Sequence, residues 1–505
     1  MHLLRKRFFI YIQISIFLVG ATYLLFRHDK LSVPSSWGIP HYSVDPAPVG
    51  APQGSNPAAE AGYNVGDLPS SAPSRPDEKG GDAATGTAKP EADKPTEATA
   101  DASPSPTATP KPTKEELTAK ARTYIPSILD PNNTSIDRMF CPPINTTRYA
   151  SLKPSTSERK QKYFIALNLR KCVDLLPRLL GSLLETINFL GAEHCAVSIV
   201  EGNSDDGTLE VLELLKAEFQ RMNVVYHLRS TPLDPSAGDR IQKLAALRAM
   251  ALTPITGVYI PDTYPEPKSN DPIPSSSAPP TPISLADGAT VLFLNDVAAC
   301  PDDMLELLHQ RALQSADMTC AMDWTHPGPD PLFYDVWVSR ALNGDLFFDI
   351  PDDPVTWDHA KDLFWNEPVA RSRLAAGVPF QVFACWNGAV TFAAEPVVKR
   401  EVWFRAAKEG ECFQGEPQLF CKDLWYKGYG KIAVVPSVNL EYTDEAGRRV
   451  KKEKGYVGEW IVNEQEQKNG TSLKVPWKLE PPEMVKCMPM FDRQDWMPWN
   501  ESLPL

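Results

Sequence analysis

Apolar and polar positions change rhythm three times along this chain, and each change marks a different kind of segment. Residues 8–26 form an uncharged apolar run that would span about 28 Å as a helix, close to the hydrocarbon thickness of a bilayer. One membrane crossing is therefore expected. Arg5, Lys6 and Arg7 precede the run, so residues 1–7 are expected in the cytosol and the rest beyond the membrane. A cleaved signal peptide is the alternative, since Val19, Gly20 and Ala21 include small residues. Residues 31–115 are rich in Pro, Ala, Ser, Thr, Gly and acids, with hardly a large apolar side chain. Such a segment cannot bury enough surface to offset its chain entropy, and it is predicted to be a disordered stem.

From Tyr163 the pattern becomes alternating blocks of strand and helix. Strands are predicted over residues 163–169, 196–200, 224–228 and 291–294, with helices over 175–190, 208–220 and 239–251 and another opening at Pro301. Residues 260–286, dense in Pro, Ser and Asp, read as an exposed insertion. The alternation predicts an α/β domain with a mostly parallel central sheet. That domain is expected over residues 136–442, leaving 443–505 as a C-terminal extension.

The net charge of −13 over 505 residues, with no basic block beyond Arg5–Arg7, argues against a general nucleic-acid binder. The nine cysteines are too few for a disulfide scaffold. In an oxidising lumen, Cys412 with Cys421 and Cys300 with Cys320 lie close enough in sequence to invite pairing, although connectivity does not follow from spacing. Sequons at Asn132, Asn133, Asn145, Asn469 and Asn500 would matter only there.

Candidate chemistry begins where the apolar run 291–294 stops at Asn295 and Asp296. Ligands of open α/β sheets bind at this strand edge, and a carboxylate there can hold a divalent cation against a diphosphate. An Asx turn or helix cap is the structural alternative. Residues 200–208, VEGNSDDGT, form a second strand-end turn, in which Glu201, Asn203, Ser204 and Asp206 can accept or donate hydrogen bonds to a base or ribose. Arg240, Lys243 and Arg248 on the following helix supply cations for a leaving diphosphate. Trp386 and Asn387 suggest a floor for an acceptor sugar, with a core tryptophan as the rival reading. Asp335, Trp337 and Arg340 are candidate acceptor contacts on a segment, 333–338, that alternates as a strand does; an Asp335–Arg340 ion pair is the alternative. Glu411, Glu416 and Asp423 are acids of the later half, with Glu411 and Asp423 joining Asp296 as catalytic candidates. The scattered histidines give no support to histidine-dependent nucleophilic catalysis.

The turn 200–208 resembles the V-D-D-G-S-T-D-G-T turn of A-type nucleotide-sugar glycosyltransferases. Farther on come F-L-N-D-V at residues 293–297, C-A-M-D at 320–323, F-Y-D-V-W-V-S-R at 333–340, C-W-N-G at 385–388, G-E-C at 410–412 and F-C-K-D-L-W at 420–425. In this order they resemble the fungal α-1,3-mannosyltransferase and capsule-associated protein family, glycosyltransferase family sixty-nine, over about residues 136–442. The resemblance implies a GT-A-type domain in a single-pass type II protein of the Golgi or another secretory membrane. It also implies GDP-mannose as donor, Mn2+ or another divalent cation, a mannoside or polysaccharide acceptor, and retention of the α configuration. The usual D-x-D is replaced by Asn295-Asp296-Val297, so only Asp296 offers a negative metal ligand at that point. A non-catalytic scaffold for capsule or wall export and a transferase using another nucleotide sugar, such as UDP-xylose, are the competing readings.

Overall fold

The computed structural model describes residues 112–154, 160–262, 282–466 and 473–503. The expected membrane span, nearly all of the expected stem and residues 263–281 of the insertion lie outside them. No helix among the described residues is long and apolar enough to cross a membrane.

In chain order the elements are α1 (Lys114–Leu129), β1 (Gln161–Leu169), α2 (Leu176–Leu190), β2 (Cys195–Glu201), α3 (Thr208–Arg221), β3 (Val225–Ser230) and α4 (Arg240–Thr256). There follow β4 (Leu285–Leu294), α5 (Pro301–Gln314), β5 (Met318–Thr325), β6 (Leu332–Phe333), β7 (Arg340–Ala341), α6 (Pro368–Ala375), β8 (Phe380–Ala384), β9 (Ala389–Ala393) and α7 (Glu395–Val398). The last are α8 (Glu416–Tyr426), β10 (Ile432–Leu440), α9 (Asp444–Lys454), α10 (Val457–Glu466), β11 (Met484–Met490) and β12 (Arg493–Pro498).

The apolar runs become strands because the main sheet is covered on both faces. In β1, Phe164 and Ala166 enter one core while Ile165 and Leu167 enter the other. The sheet order is β3-β2-β1-β4-β9-β5-β10-β8-β7, with β6 paired to β5. The strands β3, β2, β1 and β4 run parallel, β9 is antiparallel to both β4 and β5, and β10 is parallel to β5. Every strand from β3 to β10 except β9 therefore ends on one edge, where strand order reverses beside β1 and loops can part to admit a ligand. The α/β fold with its mixed, mostly parallel sheet agrees with the expectation.

Several boundaries differ from those the sequence suggested. Thr113 caps α1 through a capping box with Glu116, and Ala121 and Ile128 enter the core, so the stem does not extend to residue 115. The insertion begins and ends inside the fold: Ile260 and Ala286 are buried, and β4 already starts at Leu285. The predicted strand 333–338 stops after Phe333 and gives way to a turn in which the Val336 N–H donates to the Tyr334 carbonyl.

The C-terminal residues are part of this fold. Lys451 of α9 bonds both carboxylate oxygens of Asp303 in the first turn of α5, at 2.6 and 2.8 Å. The β11–β12 hairpin is tied down by the Cys412–Cys487 disulfide and by Arg340, whose Nε donates to the Lys486 carbonyl. The other disulfides are Cys141–Cys300 and Cys320–Cys385, which leaves Cys172, Cys195 and Cys421 free. The suggested pairs Cys412–Cys421 and Cys300–Cys320 are thus both incorrect. All three real links join segments 65 to 159 residues apart, which only the folded topology brings together.

Candidate active site

At the end of β4 the chain turns inward. The Asn295 N–H donates to the Gly388 carbonyl, and its side-chain oxygen accepts from the Trp386 indole at 3.1 Å and from the Arg248 guanidinium at 3.4 Å. Arg248 lies over the Trp386 ring, 4.3 Å from its centroid, and its Nε donates to Glu416 Oε1 at 2.7 Å. Glu416 opens α8, where the helix N-terminus favours a carboxylate. All four side chains are buried. A buried cation is tolerable only when matched in this way by a carboxylate, a dipole and ring faces. Asn295 and Arg248, read from the sequence as donor contacts, form the wall of the site and keep their polar groups within the protein.

Beyond that wall two charges stand open. Asp296 is half-buried, and burial pushes its carboxyl up to about 7, its own backbone N–H and Arg248 opposing the shift. Among the described residues no other residue hydrogen-bonds its carboxylate. Arg240, the first residue of α4 after the Asp239 cap, is also half-buried, and its guanidinium has neither a hydrogen bond nor an ion pair among them. Burial lowers its affinity for the proton, while Glu416 and Tyr334 nearby raise it. Lys243 differs from Arg240: its ammonium is bonded to the backbone carbonyls of Asp234 and Ala237, so it pins the turn before α4.

The turn after β2 is built largely by its own polar groups. Glu201, fully buried, accepts from the N–H groups of Asn203 and Ser204 and from the Ser230 hydroxyl. Ser204 accepts the Lys171 N–H, and Asp206 accepts those of Val173 and Thr208. Exposed Asn203, held at φ +54°, is the member whose side chain projects from the turn. Glu201, Ser204 and Asp206 therefore shape the turn against the end of β1, their polar groups bonded within the protein.

The candidate acceptor residues are engaged by the protein's own groups. Trp386 is 1% exposed, its indole N–H is held by Asn295, and the core reading of this tryptophan is the correct one. Asn387 is fully buried at φ +56°, with Ser339, the Trp386 N–H and the Ala321 carbonyl as partners. Its N–H donates to Asp335 at 2.9 Å, so Asp335 fixes this turn. Arg340 is fully buried and binds the carbonyls of Val336, Trp337, Ser339 and Lys486 and the Gln414 amide, with no Asp335 pair. Trp337 donates its indole N–H to the Met488 carbonyl, which ties it to the C-terminal hairpin.

Glu411 and Asp423 likewise belong to structure. Arg405 bridges both carboxylates, and Lys422 adds a 2.7 Å bond to Glu411. Burial alone would raise the Glu411 carboxyl, but Arg405, the Lys408 N–H and Lys422 hold it down at about 2. A carboxyl whose folded value lies below its ordinary 4.5 stabilises above that pH and loses the contribution as pH falls toward 2. Melting temperature should therefore drop between pH 4.5 and 2. In Glu411→Gln it should start lower at pH 7 and change less across that window, and an equal slope in the variant would contradict the assignment.

Three residues of the edge escaped the sequence reading: Asp323 at the end of β5, Tyr334 and Tyr442. Their signal was position, since Asp323 falls within the last residues of β5, Tyr334 directly follows β6 and Tyr442 lies two residues past β10, but no neighbouring motif gave them a role. No group of three His, Cys, Asp or Glu among the described residues is placed to hold a metal ion. Asp296 alone fits the mode in which a hard divalent cation uses one or two carboxylates and takes its remaining oxygens from phosphates and water.

The family model described as Cryptococcal mannosyltransferase 1 matches residues 162–423. The chain is 33% identical over 378 residues to alpha-1,3-mannosyltransferase CMT1 of Cryptococcus neoformans var. neoformans, covering 72% of this chain and 73% of that relative. Among solved structures it is distantly similar to S. aureus TarS 1-349, at 13% identity and a TM-score of 0.31, covering 61% of this chain and 68% of the other. It is also distantly similar to the mannosyltransferase PcManGT from Pyrobaculum calidifontis in complex with GDP-Man and Mn2+. There the identity is 10% and the TM-score 0.30, with 71% and 77% of the two chains covered.

Proposed function

We propose, for a chain that belongs to the Cryptococcal mannosyltransferase 1 family, that the strand-end edge binds GDP-mannose and passes its mannosyl group to a mannoside, forming an α-1,3 link with retention. The chain is an enzyme, a mannosyltransferase; donor, linkage and stereochemistry are the proposal. The observation that carries it is the pair of oppositely charged, half-buried side chains Arg240 and Asp296, neither of which has a hydrogen-bond or ion-pair partner in another residue among those described. A pyrophosphate complements the arginine, and a divalent cation, manganese being the expected one, would be held by Asp296 and pyrophosphate oxygens. When bound, such an ion neutralises charge on the departing nucleoside diphosphate.

The rest falls to this chain's residues. Arg240 orients the diphosphate, while the Arg248–Glu416–Asn295 assembly keeps Asp296 at the strand end. In the reaction the bond from the anomeric carbon to the phosphate oxygen breaks and a bond to the acceptor oxygen forms on the same face. The acceptor proton passes to the departing phosphate, so no strong protein base is required. The three disulfides support a secretory lumen, in keeping with a single-pass type II protein of Golgi-type membranes that acts in fungal glycan or capsule synthesis.

Ranking nucleotide sugars by thermal shift with manganese tests the donor. GDP-mannose is expected to give the largest stabilisation, by mass action of binding to the folded state. A UDP-sugar stabilising as much or more would overturn GDP-mannose as donor.

A further inference from the structure

We infer that Tyr334 is a further substrate-contacting residue, whose hydroxyl bonds a hydroxyl of the transferred sugar, and that Asp323 with Tyr442 is the buried post that presents it. The inference rests on the site being that of a nucleotide-sugar transferase and adds to that reading the group that recognises the sugar.

Tyr334 lies one residue past β6. The ladder pairs Trp324 with Phe333, and the next step brings Tyr334 against Asp323, whose carbonyl accepts the Tyr334 N–H at 3.1 Å. The Asp323 side chain meanwhile accepts the Tyr442 hydroxyl at 2.5 Å, and the two tyrosine rings meet at 5.0 Å between centroids with a 55° tilt. A single buried aspartate therefore fixes one tyrosine by its backbone and the other by its carboxylate. Its second oxygen, Oδ1, is buried without a hydrogen-bond partner. An orphaned buried acceptor is costly, so its retention points to a demand for position.

The two phenols have different fates. Tyr442 is buried and its hydroxyl is bonded, whereas Tyr334 is half-buried and no group among the described residues bonds its hydroxyl. After burial, Asp323, Asp335 and Asp296 push the Tyr334 phenol up and Arg240 draws it down, so it remains neutral and able to donate. A half-buried phenol whose hydroxyl has no partner among the described residues suits an uncharged hydroxyl-bearing ring, whose apolar face the aromatic ring can cover. The diphosphate belongs with Arg240 and the sugar with Tyr334.

The test uses the full chain with manganese, in the variants Tyr334→Phe, Asp323→Asn and Asp323→Ala, measuring GDP and GDP-mannose affinity by calorimetry and kcat and KM for transfer. Tyr334→Phe should bind GDP within about twofold of the unsubstituted protein and lose about tenfold in kcat/KM, the effect of one hydrogen bond to the sugar. Asp323→Asn keeps an oxygen for Tyr442 and should retain most of kcat, while Asp323→Ala should fall at least as far as Tyr334→Phe with GDP affinity preserved. Unchanged kcat/KM in Tyr334→Phe, or equal weakening of GDP and GDP-mannose, would overturn the assignment. If the unsubstituted chain prefers another nucleotide sugar, the donor reading fails, and Tyr334 is judged by the same comparison with that sugar and its bare nucleotide. A chain that binds no nucleotide sugar overturns both.

Discussion

Asp296→Ala is expected to lower metal-dependent mannosyl transfer by about 1,000-fold, the effect of losing several kcal/mol of charge stabilisation at the leaving diphosphate. The same variant should fold at least as well as the unsubstituted chain. Burial raises the folded-state value of this carboxyl to about 7 from 3.8, so ionisation costs the native state free energy and stability falls as pH rises through that window. Above it the alanine variant escapes that cost, and its melting temperature at pH 8 should equal or exceed that of the parent. A structural aspartate would behave in the opposite way, with lost activity tracking lost stability. Undiminished turnover in Asp296→Ala removes the residue from the mechanism.

Lys451→Ala is expected to cost about 3–5 kcal/mol of stability, the range for stripping one partner from a buried ion pair. The Lys451 side chain is fully enclosed and that of Asp303 is 2% exposed, so the substitution leaves a carboxylate in the core with, among the described residues, the Cys300 N–H as its remaining hydrogen-bond partner. Urea unfolding of Lys451→Ala, Asp303→Asn and the double variant forms the appropriate cycle. The double variant should recover part of the loss, because the stranded charge is then gone. KM for donor should stay near its parental value wherever the variant is folded, since the pair joins α9 to α5 and touches none of the residues assigned to the site. A loss below about 1 kcal/mol would contradict the integral role of the C-terminal residues.

The β1–β4 half of the domain was legible because β1, β2 and β4 are largely buried and read as mostly apolar runs, β2 and β4 ending in turns that carry Asp and Asn. The later half was not. Two-residue strands such as β6 and β7 carry no measurable period, and what fixes them is the packing of distant segments. Glu411 and Asp423 resembled catalytic acids because carboxylates near a predicted site are indistinguishable in sequence from carboxylates held by an arginine; only the turn into α8 brings Arg405 between them. Trp386 and Asn387 misled for a related reason, since an aromatic beside an amide suits a sugar floor and a buried hairpin equally well. Of the three cations read on one helix, Arg240 remains open, whereas Lys243 holds backbone carbonyls and Arg248 holds the wall. That division depends on what faces α4, which a helix's own sequence does not contain.

Calorimetric titration of GDP with and without manganese, in the unsubstituted chain and in Arg240→Gln, addresses most directly whether Arg240 and Asp296 frame one diphosphate site. Among the described residues Arg240 has no hydrogen-bond or ion-pair partner to lose, so the variant should melt with the parent. GDP is predicted to bind the unsubstituted chain more tightly with manganese than without, and Arg240→Gln to weaken that binding at least about tenfold. GDP binding that ignores both manganese and the loss of Arg240 would contradict the account.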